Sequence, residues 1–99
     1  SEGRGQQILE RLLEEIVRRQ ARFAILDLTG MGAVDAGCVG RLLSVSRAAG
    51  LLGCRCLLSG ISGEVARRMI EAGANGADVP TFGRLKDALR YAMGERRRG

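Results

Sequence analysis

The residues best placed to do chemistry stand at the end of the most apolar stretch of the chain. Asp27 lies near the end of the apolar run 23–28, Thr29 and Gly30 follow it, and Asp35 comes soon after. A pair of carboxylates could bind a metal or transfer protons, and a threonine hydroxyl could act as a nucleophile. Because open α/β sheets bind ligands where their strands end, this turn is the predicted functional region.

The rest of the sequence gives this chemistry little support. The chain has no histidine, and its only lysine, Lys86, falls in the last predicted helix, so Thr29 has no evident activating base. A metal ion would need more oxygen ligands than the turn supplies, and neither glycine-rich nucleotide motif occurs. We therefore predict no catalytic residue, no metal and no cofactor, with Asp27 and Asp35 accepting backbone N–H hydrogen bonds in the turn.

Small residues after the turn have two interpretations each. Gly37 and Gly40, near the start of a helix, allow either close approach of a partner or phosphate, or tight packing of that helix on the sheet. Cys38 lies in the first turn of the same helix, where the dipole favours a thiolate. Like Cys54 and Cys56, however, it also fits a small buried apolar side chain.

Apolar periodicity predicts the elements that position this turn. Continuous apolar runs predict strands at 23–28 and 54–58, and Val79, just before Pro80, a very short edge strand. Residues spaced by three and four predict helices over 6–20, 37–50, 63–72 and 82–93. The predicted N-caps are Asp35 or a neighbouring residue for the second helix, and Ser62 and Thr81 for the third and fourth. Their alternation predicts an α/β fold: a small, mostly parallel sheet flanked by about four helices.

Each predicted helix has an apolar stripe that should face the sheet. The inward residues are Ile8, Leu9, Leu12, Leu13, Ile16 and Val17; then Val39, Leu42, Leu43, Ser46 and Ala49; then Val65, Ala66, Met69 and Ile70; and finally Phe82, Leu85, Ala88, Leu89, Ala92 and Met93.

The predicted sheet is thin for four helices. The run 23–28 is the most apolar and should lie inside the sheet, yet only 54–58 is a strong neighbour. Either an upstream strand is missing or another chain supplies one, since an open apolar edge recruits strands. We expect association through that edge, or exchange of a segment between chains, at high concentration.

Composition narrows the class of protein. The 99 residues suit one domain, 1–99, and the net charge of +5 owes much to a basic tail, 94–99. The helices mix both charge signs and no aromatic platform accompanies the arginines, which counts against nucleic acid as a partner. No apolar run is long enough to cross a membrane, and the polar first residues are unlike a signal peptide. The predicted location is the cytoplasm.

Five motifs occur in order along the chain. They are D-L-T-G (27–30), V-D-A (34–36), L-L-G (51–53), G-I-S-G-E-V-A (60–66) and T-F-x-x-L-x-x-A-L (81–89). Together they resemble the STAS domain and, more narrowly, the C-terminal domain of RsbR/RsbS-type stressosome proteins, within the anti-sigma factor antagonist family. The resemblance extends from Gln6 to Met93 and implies a small α/β module that binds partner proteins.

The chain departs from that family at three places. The family's phosphorylated Ser or Thr, at the start of the second helix, is replaced by Ala36, which has no hydroxyl, and a second phosphothreonine of some paralogues matches Arg68. The family also has a strand ahead of the first helix. The resemblance therefore implies the C-terminal part of a longer signalling protein, without that leading strand.

The resemblance implies a non-enzymatic interaction module in bacterial partner-switching signalling. The implied partners are other STAS-domain proteins and a switch kinase or anti-sigma-type protein, in a homo- or hetero-oligomer. The alternative is a small-ligand or nucleotide-binding regulatory domain that uses the turn 29–37. The predicted partner-binding residues are Asp27, Thr29, Gly30, Asp35, Ala36, Gly37, Cys38 and Ser62.

Overall fold

A computed structural model describes residues 2–30, 36–74 and 79–98, and it confirms the predicted α/β class. The three strands form an all-parallel sheet in the order β1-β2-β3. Because parallel neighbours need a crossover, a helix separates each strand from the next. The elements in chain order are α1 (Glu2–Arg19), β1 (Phe23–Asp27), α2 (Ala36–Leu51), β2 (Arg55–Ser59), α3 (Gly63–Glu71), β3 (Thr81–Phe82) and α4 (Leu85–Arg98).

Both faces of the sheet are covered, and β2 is the strand at its centre. Successive side chains of a strand point to opposite faces, and the neighbours Leu57 and Leu58 are both fully buried. Leu58 faces α2 and α3, where it packs with Leu43 and Met69. Leu57 faces α4 and packs with its small alanines. All five residues predicted to face inward from α2 are buried.

The prediction that strand 23–28 lies inside the sheet is wrong for the described residues. β1 is at the edge, bonded to β2 alone, and its residues are half-buried or exposed. Its apolar content correctly indicates cover on both faces: Ala24 packs against the Ile16 cluster on one, and Phe23 and Ile25 pack on the α4 side. The apolar content of a strand predicts that its two faces are packed against other elements. It does not predict whether another strand pairs with each of its edges.

The last third of the chain differs most from the prediction. Val79 is buried, but it lies just before the third strand and is not part of it. Pairing with β2 begins one residue later, where the carbonyl of Pro80 accepts the N–H of Leu58 at 3.0 Å, and it continues into β3. Thr81 and Phe82 are therefore strand residues instead of a cap and the first residue of a helix. The last helix starts later than predicted and continues to Arg98, through the segment predicted to be a basic tail.

Several residues predicted to face inward are exposed. α4 contacts the sheet through Ala88 and Ala92, which are small enough to bring the helix close, so the larger side chains beside them point outward. Among the described side chains of α1, Ile16 alone is buried, because the helix packs along α2 with a narrow stripe. The residues wrongly predicted to be buried are Ile8, Val17, Ile70, Leu85, Leu89 and Met93.

Candidate functional site

A hydrogen-bond network joins the carboxyl ends of β1 and β2. Asp27 and Ser59 are register partners on adjacent strands, so their side chains share a face. The Oδ1 atom of Asp27 accepts the Ser59 hydroxyl at 2.9 Å and the Thr29 hydroxyl at 2.8 Å. The backbone N–H of Thr29 donates to the same oxygen at 3.4 Å. The prediction that Asp27 accepts a backbone N–H is confirmed, with two hydroxyls added.

These hydrogen bonds control the ionisation of Asp27. The Thr29 hydroxyl, and then that of Ser59, lowers the pKa of the Asp27 carboxyl below its ordinary value, because both donate to its charged form. A carboxylate with a lowered pKa is a weak proton acceptor, and the chain has no histidine to take that role. The network therefore suits a fixed polar surface better than acid–base chemistry.

Gly60, directly after β2, packs against Thr29 so closely that no side chain fits between them. Its φ is +67°, in the region that favours glycine. A Cβ on Gly60 would collide with the Thr29 hydroxyl and would lie 2.9 Å from the Thr29 nitrogen. The N–H of Gly60 donates to the carbonyl of Phe82 at 3.0 Å, which ties the turn to β3. Thr29 therefore contacts Asp27 through its hydroxyl on one side and packs against Gly60 on the other.

The structure describes three of the four residues predicted to bind a partner at the start of α2. Ala36 is the first residue of α2, and Gly37 is exposed in its first turn. Cys38 is half-buried and packs against the cluster that contains Leu28 and Val39, as a small apolar side chain would. Asp35 and the rest of the turn 31–35 lie outside the described residues.

The remaining predicted residues lie beside the network with different roles. Gly30 is exposed in the turn after β1, with φ of +80°. Ser62 caps α3, as predicted: its hydroxyl oxygen accepts the N–H of Val65 at 3.2 Å. This hydrogen bond gives Ser62 a structural task that does not depend on a partner.

Sequence reasoning missed Ser59 and Gly60 as members of the site. A signal was available, because Ser59 is the first polar residue after the predicted strand 54–58, as Asp27 is near the end of the preceding strand. Parallel strands end at the same edge of a sheet, so polar residues that close two neighbouring strands should meet there.

Two of the three cysteine thiols, those of Cys54 and Cys56, are buried. No group of three or more His, Cys, Asp or Glu side chains among the described residues could hold a metal ion. Burial, and then the neighbouring Cys56, raises the pKa of Cys54 to about 11. Burial also raises the pKa of the Cys56 thiol. Both thiols stay protonated and inert at neutral pH.

Within the ranges that the structure describes, every helix is too short or too polar to cross a bilayer.

Comparison with known proteins places this architecture in a family. The family model described as STAS domain matches residues 3–88. The chain is 30% identical over 90 residues to the RsbT co-antagonist protein RsbRA of Bacillus subtilis (strain 168), covering 91% of this chain and 33% of that protein. It is 30% identical over 84 residues to RsbT co-antagonist protein RsbRB of the same organism, covering 85% of this chain and 30% of the relative.

A shorter relative also matches. Protein YezB of B. subtilis is 33% identical over 82 residues, which cover 83% of this chain and 84% of YezB. The chain thus spans about a third of the length of the RsbR-type relatives and most of the length of YezB. The family match, the parallel sheet and the order of its helices agree: this chain belongs to the STAS domain family.

Proposed function

We propose that this domain is a non-enzymatic protein-interaction module in bacterial partner-switching signalling of the stressosome and anti-sigma factor antagonist type. Its relatives RsbRA and RsbRB are named as co-antagonists of RsbT. The partners proposed for this chain are other STAS-domain proteins and a switch kinase or anti-sigma-type protein, in a cytoplasmic homo- or hetero-oligomer. The domain would then be the C-terminal part of a longer signalling protein.

The observation that carries the proposal is the exposed but internally fixed network at the end of β1. Asp27 and Thr29 are exposed, yet their positions are set by hydrogen bonds to each other and to buried Ser59. A surface that is ordered before binding loses little conformational entropy when a partner docks. Gly30, exposed directly after Thr29, leaves room for close approach of the partner's backbone, and Gly37 is exposed in the first turn of α2.

The lack of a hydroxyl at Ala36 gives the module a particular behaviour. Phosphate would add charge at the start of α2 and change which partner binds there. With alanine at that position the domain keeps one interaction state whatever the kinase does. The domain would act as a constant binding surface in an assembly whose other members switch.

A binding experiment tests the surface. The purified chain is titrated by calorimetry with an RsbS-type STAS protein and an RsbT-type kinase from the same genome, and we expect binding to at least one. Thr29→Arg should weaken it at least tenfold. Leu51→Arg is the matched control, because Leu51 is exposed at the far end of α2. Equal binding by both variants would contradict the proposed surface.

A phosphorylation experiment tests the locked state. After treatment with the kinase and ATP, mass spectrometry should find no phosphate on the chain, whereas Ala36→Ser should gain one. Stoichiometric phosphate on Thr29 or Ser62 would show that the switch has moved to another residue. A large thermal shift with a nucleotide alone, without partner binding, would favour the ligand-binding alternative at the turn 29–37.

A further inference from the structure

The edge of the sheet at β3 presents the backbone groups of Thr81 to the outside. The N–H of Leu58 donates to the carbonyl of Pro80 at 3.0 Å, and the N–H of Gly60 donates to the carbonyl of Phe82 at 3.0 Å. In a parallel ladder alternate residues face the same neighbour, so Pro80 and Phe82 face β2. The N–H and C=O groups of Thr81 therefore point away from β2, to the side where the described sheet ends.

An apolar pocket lies beside this edge, between α3 and β3. Its volume is about 160 Å³; α3 contributes Ala66, Met69 and Ile70 to its walls, and the segment that leads into β3 contributes Val79 and Thr81. Ile70 is 71% exposed although it is large and apolar. The pocket and the outward backbone groups of Thr81 are thus next to each other.

The size of the pocket and its position indicate what fits there. An apolar cavity of about 150 Å³ holds one benzene-sized group, whereas small-molecule pockets measure roughly 300–1,000 Å³. The pocket therefore suits a single apolar side chain. Thr81 is the register partner of Leu58, whose side chain faces α2 and α3, so the Thr81 side chain shares the face of the sheet that α3 covers. A strand added to β3 would direct every second side chain to this face.

The charge beside the pocket indicates the sign of the residues that should flank this side chain. Arg67 is exposed and precedes Ile70 by three residues, a spacing that makes the two side chains neighbours on the helix surface. Arg68 is paired with Glu64 at 3.4 Å, whereas Arg67 forms no ion pair within the part of the chain that the structure describes. A carboxylate would therefore find a partner at Arg67, and the net charge of +5 attracts acidic segments from a distance.

We propose that the α3–β3 groove, formed by this pocket and the edge at Thr81, binds an extended acidic segment of another protein. The segment adds to β3 as a strand through the N–H and C=O groups of Thr81. It inserts one apolar side chain into the pocket beside Ile70 and places a carboxylate beside Arg67. In strand addition the main-chain hydrogen bonds give affinity, and pockets for alternate side chains give specificity.

The α3–β3 groove is separate from the network of Asp27, Thr29 and Ser59. Ser59 follows Leu58 along β2, so its side chain lies on the opposite face of the sheet, together with that of Asp27. The two surfaces can therefore be occupied at the same time. Binding in the groove does not require the partner-switching function.

Titration of the isotope-labelled chain with a capped peptide tests the groove. The probe is Glu-Thr-Ile-Thr-Glu, in which the isoleucine and both glutamates share one face of a strand. We expect saturable shifts of the Thr81 and Ile70 amides in nuclear magnetic resonance spectra. The same peptide with serine for isoleucine, or with lysine for both glutamates, should bind about tenfold more weakly or worse. At saturation the Thr81 amide should exchange with deuterium more slowly, because strand pairing uses its N–H.

Variants of the chain identify the residues responsible. Ile70→Glu should weaken binding of the probe about tenfold or more, because a carboxylate would stand at the apolar pocket. Arg67→Glu should reverse the preference, so that the lysine peptide binds more tightly than the glutamate peptide. Arg90→Glu is the control for charge: Arg90 is 77% exposed on α4, which packs on the other face of the sheet, so this variant should bind like the wild type. The spectra themselves verify that each variant is folded.

Several results would overturn the proposal. One is the absence of saturable shifts at Thr81 and Ile70, and another is equal binding of the probe by Ile70→Glu and the wild type. Binding that leaves the Thr81 amide unprotected would mean that no strand is added. Concentration-dependent shifts of the same amides without peptide would identify a second copy of this chain as the occupant instead.

Discussion

Gly60→Ala should disrupt the hydrogen-bond network of Asp27, Thr29 and Ser59, although Gly60 is not one of its members. The substitution adds one methyl group at a position where φ is +67° and where the new atom would collide with the Thr29 hydroxyl. Thr29 must then move, and its hydroxyl leaves Asp27. The expected result is lower stability together with weaker partner binding at the turn after β1.

The magnitude has two parts. An alanine held at positive φ costs about 1–2 kcal/mol. The methyl would also lie 2.9 Å from the nitrogen and 3.0 Å from the Cα of Thr29, and these backbone atoms cannot simply rotate away. Overpacking of this kind costs about 1–3 kcal/mol. We therefore expect Gly60→Ala to lower the free energy of unfolding by about 2–5 kcal/mol.

Gly53→Ala separates the two parts. Gly53 has φ of +81°, close to that of Gly60, but a methyl group added there would meet no described atom within 4 Å. Urea denaturation should show a loss of about 1–2 kcal/mol for Gly53→Ala and a clearly larger loss for Gly60→Ala. Equal losses would refute the reasoning, because they would mean that the contact with Thr29 has no energetic consequence.

Three further results are expected. The folded state lowers the pKa of Asp27 below its ordinary 3.8, so its contribution to stability is complete above that pH and is lost in more acidic solution; Asp27→Asn should therefore flatten the acid limb of a stability–pH curve measured by urea denaturation. Leu57→Ala should cost about 2–5 kcal/mol, whereas Leu51→Ala, at a residue 91% exposed, should change the unfolding free energy by about 0.5 kcal/mol or less. Gln20 directly follows α1 and has a φ of +51°, so Gln20→Gly should raise the free energy of unfolding, measured in urea, by up to about 1 kcal/mol; a lower urea midpoint would contradict this.

The sequence predicted the elements well where one physical signal dominated. The period of the apolar residues in α2 identified five of the six buried residues among its described side chains, from Val39 to Ala49, and missed Val45. Ser62 was identified as a cap because a short hydroxyl side chain before a helix satisfies an N–H that has no helical partner. At the site, Asp27 and Thr29 were predicted together because they are neighbours in the chain.

The errors arise where the outcome depended on contacts between distant residues. Nothing near Leu89 or Met93 in the sequence reveals that α4 would rest on the small Ala88 and Ala92 and turn the larger side chains outward. Ser59 joins Asp27 only because β1 and β2 pair in that register. A periodic pattern defines the side of a helix that is apolar, but the partner helix or strand decides how much of that side is covered.

The attachment of α4 by small side chains has a consequence for local unfolding. Apart from its alanines, α4 is anchored by Tyr91, which contacts Phe23 edge-on and Phe82 at a tilt and accepts a hydrogen bond from Arg55 at 3.0 Å. Because the buried residues of α4 are the small Ala88 and Ala92, this helix should open before the sheet unfolds. Its amides should exchange with deuterium through that opening while those of β2 wait for global unfolding. As the only tyrosine in a chain without tryptophan, Tyr91 would report the opening by its own fluorescence.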